Sequence, residues 1–246
     1  METQNFNQYQ DPIEVETVGH GDVATKTFMA RVFSWMTFGL GITGVMAYVL
    51  SHTSLSSLIY SGPHQLNGFG IVTVFAPFVL VLLMGFGINK LSYMAMVLIF
   101  TVFSTLMGMS LSSIFLVYTA SSIYAIFFIT AGMFGVMALL GYTTSTDLTG
   151  FGSLLRMLFF GAIIAMVVNF FMHSATLDYA LSFLFVAIFT GLTAYDVQKL
   201  KNIGTHVGMV GEASTAKIAI FGALTLYLDF INLFLSLLRI FGGRRN

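Results

Sequence analysis

Residues 218–238 read IAIFGALTLYLDFINLFLSLL, and how this run is interpreted decides the fold. Its 21 residues match the ~20 that a helix needs to cross about 30 Å of hydrocarbon. Asp229 stands twelfth, near the middle, where a carboxylate costs at least roughly 2.5 to 3.5 kcal/mol. Something must compensate it. At helical spacing Gly222, Thr225, Asp229, Asn232 and Ser236 fall on one stripe, while Phe221, Leu224, Leu228, Phe230 and Leu235 cover the other faces. One side of this helix is therefore expected to meet polar atoms or water inside a bundle.

The rest of the chain agrees with a membrane setting. Of 246 residues, 57% are hydrophobic and only 8% charged, against ~25% charged in a soluble domain. Ten Lys and Arg balance ten Asp and Glu, so no basic surface argues for nucleic acid. The absence of cysteine removes disulfides, thiol chemistry and cysteine metal sites. Residues 1–27 are polar, with Asp11, Glu14, Glu16 and Asp22, and lack the pattern of a signal peptide. They read as a short disordered cytoplasmic tail preceding a seven-helix domain over residues 28–246.

Seven apolar spans are expected, over residues 28–50, 70–88, 93–117, 123–142, 154–172, 179–199 and 218–238. Trp35 and Tyr48 are placed as interfacial anchors of the first span, and Pro77 is the candidate kink of the second. In the third, Thr101, Ser104, Thr105, Gly108 and Ser112 form a small and hydroxyl stripe suited to close packing in lipid. Ala131 and Gly135 form a small pair in the fourth, read as a helix contact. Asp147 is positioned to cap a helical turn. The sixth span ends in TAYDVQ (193–198), which supplies the second acid of the hydrophobic segments, Asp196.

Lys26, Arg31, Lys90, Arg156, Lys199, Lys201 and Lys217 all flank one side of this arrangement, which makes the N-terminus cytoplasmic. Seven full crossings would then put Arg239, Arg244 and Arg245 on the opposite side, against the rule. Either the last span does not cross fully, or the upstream bias overrules the tail.

These segments in this order resemble the transmembrane Bax inhibitor motif (Bax inhibitor-1) family, specifically a bacterial member. The resemblance is carried by FGLGIT (38–43), SLSSIF (110–115), TAGMFGVMALLGYTTSTDLT (130–149), TAYDVQ (193–198) and LYLDFINLFL (226–235). It implies an all-α integral membrane fold of seven transmembrane helices with the last helix central, in a bacterial plasma membrane. It also implies a calcium leak gated by pH through an aspartate pair, which by motif is Asp196 and Asp229. In the family an arginine of the second span pairs with the aspartates in the closed state. This chain has no arginine there, and Lys90 is the nearby cation. Some bacterial relatives modulate a quality-control membrane protease through the N-terminal tail, which makes such a protease the alternative partner.

The physical expectation for the pair is a switch. Two carboxyls brought together in a low-dielectric site share one proton and titrate as a unit. Doubly ionised, they repel each other and attract a divalent cation. Calcium takes six to eight oxygen ligands and the pair supplies at most four, so binding is weak and transient, with Thr193, Asn232 or Thr225 as supporting polar groups. Depth argues against the pairing. Asp196 lies three residues from Lys199 and Asp229 twelve from Lys217, a mismatch of about 13 Å at 1.5 Å per residue. The pair thus requires that the seventh span begins well outside the hydrocarbon or that the sixth is sunk; otherwise the two acids are satisfied separately. Two intramembrane aspartates also suggest presenilin-type proteolysis, but Leu226-Tyr227-Leu228-Asp229 is not GxGD and no Pro-Ala-Leu follows. No enzyme and no cofactor is implied; calcium enters as the permeant ion, with protons and the lipid bilayer as the other partners.

Overall fold

The structure, a computed structural model, describes residues 16–62, 65–207 and 211–245. It is an all-α membrane bundle. In order come α1 (Glu16–His52), α2 (Gly68–Gly87), α3 (Tyr93–Leu111), the short α4 (Ile114–Val117), α5 (Ala120–Thr143), α6 (Thr149–Met172), α7 (Ala175–Gly204) and α8 (Glu212–Phe241). A small hairpin, β1 (Tyr60–Gly62) with β2 (Gln65–Leu66), decorates the α1–α2 connection. Seven segments are long and apolar enough to cross a membrane, with α3 and α4 forming one of them.

Polar side chains set where helices begin. Asn67 accepts from the Gly70 amide, Ser92 from Ala95, Thr119 from Ser122 and Ser174 from Leu177, each satisfying one of the free N–H groups of a first turn. At the other end of α6, His173 takes a left-handed conformation, φ 52°, and its amide bonds the Asn169 carbonyl.

The expected tail is shorter than 27 residues. Helix α1 already begins at Glu16, and its polar first turns continue because Thr25 and Phe28 pack against Gly204 at the end of α7. Residues 1–15, and with them most of the tail, lie outside the described residues, as does His64. Trp35 is also not an end anchor. It sits twelve residues inside a span that starts at Val23, and its ring meets Phe100 edge-on at 6.2 Å. Tyr48 does lie at the end of α1, stacked on His52.

Helix α8 is the axis. It packs against α7, α1, α5, α3 and α2; 67% of its apolar window is buried, against 11% for α6, which rides on α7 at the lipid face. Small residues permit the close approaches that replace hydrophobic driving force in lipid. Leu200 of α7 lies on Gly222 of α8, Thr43 and Met46 of α1 on Gly108 of α3, and Ala194 of α7 on Gly141 of α5. The small pair Ala131 and Gly135 does not work this way: a methyl at Gly135 would meet nothing within 4 Å, and both residues border an open groove between α1 and α5.

Pro77 acts through a hydrogen bond. It has no N–H to give the Thr73 carbonyl one turn earlier, and Ser110 of α3 fills that place, Oγ to carbonyl 2.7 Å. The orphaned acceptor thereby becomes an interhelical tie.

The C-terminal residues bear on the crossing question. The Thr119 amide donates to the Gly243 carbonyl and the Arg245 amide to the Val117 carbonyl, both at 2.9 Å, while the Gly243 amide donates to Ser122 Oγ at 3.0 Å. Arg239 pairs with Asp178 at the start of α7, 3.9 Å. Helix α8 therefore runs the full height of the bundle, from the seven-cation end to the corner between α4 and α5. The charge rule favours the seven-cation end, called the inner face below, over the three-arginine end.

Candidate functional site

The TAYDVQ run uses most of its side chains to fix α7. Ala194 lies on Gly141 of α5, and the Tyr195 ring covers Gly152 of α6, with the Arg156 guanidinium 5.1 Å from the ring centre. Gln198 clamps the α5–α6 connection from both ends of its amide, donating to the Thr146 carbonyl at 2.7 Å and accepting from the Leu148 amide at 2.8 Å. One turn on, Lys201 Nζ donates to the Tyr142 carbonyl, 2.8 Å. These ties tether α7 to α5 and α6. The remaining chemical group of the run, the Asp196 carboxyl, meets α8.

There it meets Asp229, side chain to side chain. Asp229 is buried, and its Oδ2 has no hydrogen-bond partner among the described residues. Asp196 is half-buried. The electrostatics are equally uneven: Lys199 and Arg156 act on Asp196, whereas Asp196 is the charged group acting on Asp229. A hydrogen bond between two carboxyls forms only when one of them carries a proton.

The depth mismatch closes through the register of the two helices. With Leu200 on Gly222 as the reference level, α7 ends four residues later at Gly204, while α8 began ten residues earlier at Glu212. At 1.5 Å per residue α8 starts about 9 Å farther out than α7 ends. From the same level Asp196 and Asp229 are four and seven residues deep, a difference of about 4.5 Å that two side chains span. Helix α8 thus begins well beyond the level at which α7 ends, which is the offset the pairing requires.

The supporting polar groups do not converge on the carboxyls. Thr193, Thr225 and Asn232 each bond back to their own helix, to the carbonyls of Phe189, Phe221 and Leu228 at 2.7, 3.2 and 2.8 Å. Short polar side chains in lipid find the carbonyl one turn back before they find a partner across the bundle. Lys90 is not among the charges acting on either aspartate. The cations that are, Arg156 and Lys199, come from α6 and α7. Lys199 has a sequence signal, since a residue three after Asp196 on a helix is its neighbour; Arg156 has none.

Toward the inner end of α7 is a cleft of about 400 Å³, lined among others by Tyr195, Gln198, Lys199, Asn202, His206 and Ile218; Asp196 itself is not in its wall. No cluster of three or more His, Asp or Glu that could hold a resident metal occurs among the described residues. The two carboxyls offer at most four oxygens, short of a full calcium shell; a hydrated cation in passage needs no more. On the far side of α8, Tyr227 is fully buried and hydrogen-bonded to Thr43, 2.7 Å, a contact the sequence did not reveal.

Residues 25–246 match the family described as Inhibitor of apoptosis-promoting Bax1. The chain is 47% identical over 221 residues to the inner membrane protein YbhL of Escherichia coli, covering 89% of this chain and 93% of that one. It is 43% identical to an uncharacterized protein of Borreliella burgdorferi, covering 89% and 93%, and 42% identical to one of Caulobacter vibrioides, covering 91% of each. With its seven apolar helices, the chain is a multi-pass inner-membrane protein and belongs to the Bax inhibitor-1 family.

Proposed function

We propose that this protein is a pH-regulated calcium leak whose gate is the Asp196–Asp229 pair. The observation that carries the reading is the meeting of the two acidic side chains, an enclosed one on the central helix and a half-buried one on α7, one turn from a cleft lined by Lys199. With one proton between them the carboxyls bond and hold α7 to α8. When that proton leaves, two like charges face each other in a site of low dielectric, the seam is pushed apart, and a divalent cation is drawn between them. Flux therefore rises with pH. A site of two carboxylates and water binds calcium strongly enough to admit it and weakly enough to release it.

The test is calcium uptake into liposomes holding the purified protein, followed across a pH series. The parent should show flux that climbs as pH rises. Asp196→Asn and Asp229→Asn keep a side-chain hydrogen bond but cannot gain the second charge, so each should flatten the pH response and suppress uptake. Parent flux indifferent to pH, or amide variants indistinguishable from the parent, overturns the reading.

A further inference from the structure

We propose that Lys199 is an electrostatic valve at the inner mouth of the carboxyl seam, a fixed positive charge that a calcium ion must pass between the aspartate pair and the inner face. The inference rests on the calcium-leak reading above and adds the residue that sets how readily a divalent ion makes the last step.

Placement is the first argument. Lys199 follows Asp196 by three residues, about one turn toward the inner end of α7, so the two side chains occupy adjacent positions on the helix surface. It is exposed and lines the cleft of about 400 Å³ whose wall also holds Tyr195, the residue before the half-buried Asp196. The wall of that cleft is apolar at Tyr195 and Ile218, and its rim carries Asn202 and His206. A lysine can rest its stem on such a wall and keep its ammonium in the water-filled mouth.

Freedom is the second. The other cations around the seam are held by the fold: Lys201 Nζ by the Tyr142 carbonyl, Lys217 Nζ by the carbonyls of Ile88 and Leu91, and Arg156 over the Tyr195 ring. Lys199 makes neither a hydrogen bond nor an ion pair within 4.0 Å among the described residues, yet its charge acts on Asp196. The charged groups bearing on Asp196 are then Asp229 from α8, Arg156 from α6 and Lys199 from α7 itself; α5 carries no acid or cation.

Charge is the third. A fixed positive charge opposes a divalent ion twice as strongly as a monovalent one, and salt screens the opposition because the mouth is open to solvent. Lysine at this place therefore holds calcium flux below what the carboxyls alone would support, most at low ionic strength.

The experiment compares calcium uptake by liposomes containing the parent, Lys199→Gln, Lys199→Glu and Lys199→Arg at a pH where the parent conducts, in low and in high potassium chloride. Lys199→Gln should raise uptake roughly three- to tenfold in low salt, with the gain shrinking in high salt. Lys199→Glu should exceed it, and Lys199→Arg should match the parent. Equal uptake by Lys199→Gln and the parent, beside a parent flux that still responds to pH, overturns this inference and leaves the leak reading intact. A gain in Lys199→Arg as large as in Lys199→Gln also overturns it, because it would mark a packing effect of the lysine stem. No flux from any of the four proteins would overturn both.

Discussion

Tyr227 Oη on α8 lies 2.7 Å from Thr43 Oγ1 on α1, and the single proton of that threonine is given to the Ser104 carbonyl of α3 at 2.9 Å, so tyrosine is the donor to threonine. Three helices meet in this chain of bonds, with the Tyr227 ring edge-on to Phe100 and Phe103. Removing either partner has a different consequence. Tyr227→Phe keeps the ring packing and leaves Thr43 still bonded, and should cost about 0.5 to 1.5 kcal/mol. Thr43→Val strands the buried phenol without an acceptor and should cost more, about 1 to 3 kcal/mol. Thermal unfolding in detergent gives the order; a valine variant more stable than the phenylalanine variant would show that the phenol has another acceptor.

Ser110 and Pro77 should behave as one unit. Ser110→Ala leaves the Thr73 carbonyl unpaired in a buried position, a loss of about 1 to 3 kcal/mol. In a Pro77→Ala background residue 77 regains an N–H for that carbonyl, and the serine becomes dispensable. A double-mutant cycle should then return a coupling of about 1 kcal/mol or more. Additive losses would mean that the restored amide does not reach the carbonyl.

Glycine substitutions sort the helix contacts by what lies above them. A methyl at Gly141 meets the backbone of Ala194, which cannot turn aside, and one at Gly222 meets the end of the Leu200 side chain at 2.6 Å, which can. One at Gly135 meets nothing within 4 Å. Melting temperatures should therefore fall most for Gly141→Ala and less for Gly222→Ala, by an amount in the ~1 to 3 kcal/mol range of overpacking. Gly135→Ala should hold or gain, since alanine is the better helix former. Calcium uptake by Gly222→Ala should also lose part of its pH response, because that contact sets the register that brings Asp196 to Asp229.

Asp147 gives a pH dependence outside the membrane. It accepts from the Thr149 hydroxyl at 2.6 Å and from the Thr149 amide at 2.9 Å, and these bonds hold its carboxyl below the ordinary value of 3.8. A lowered carboxyl contributes stability above its unfolded-state value and loses it as pH falls through the folded one. Asp147→Ala should therefore lower the melting temperature at neutral pH, with the gap to the parent closing only in acid below that ordinary value. A gap that persists unchanged into strong acid would assign the loss to helix propensity instead.

The seven crossings were legible because lipid demands long apolar runs, and no competing arrangement of runs such as residues 70–88 satisfies their backbone groups. Their ends ran several residues past the apolar windows, since α7 and α8 continue into water on polar turns that hydropathy does not count. The aspartates were legible as misplaced charges, but their meeting only through the family resemblance: the offset between α7 and α8 depends on Leu200 finding Gly222, a contact between two unremarkable residues. Hydroxyl partners were the least legible. Thr193 and Thr225 bond to their own helix while Thr43 and Ser110 reach across, and all four look alike in sequence. Only the neighbouring surface, a buried phenol in one case and a proline-freed carbonyl in another, separates them.

The corner between α4 and α5 is closed by residues that come far later in the sequence. Because Gly243 and Arg245 pair with Thr119 and Val117, a chain still under synthesis leaves those amide and carbonyl groups of its α4–α5 elbow bare until α8 has threaded the lipid. Threading of the central helix and completion of that corner are thus a single late event. A truncation at Phe241, however conservative it looks by hydropathy, would produce a protein with every crossing present and its outer rim left undone.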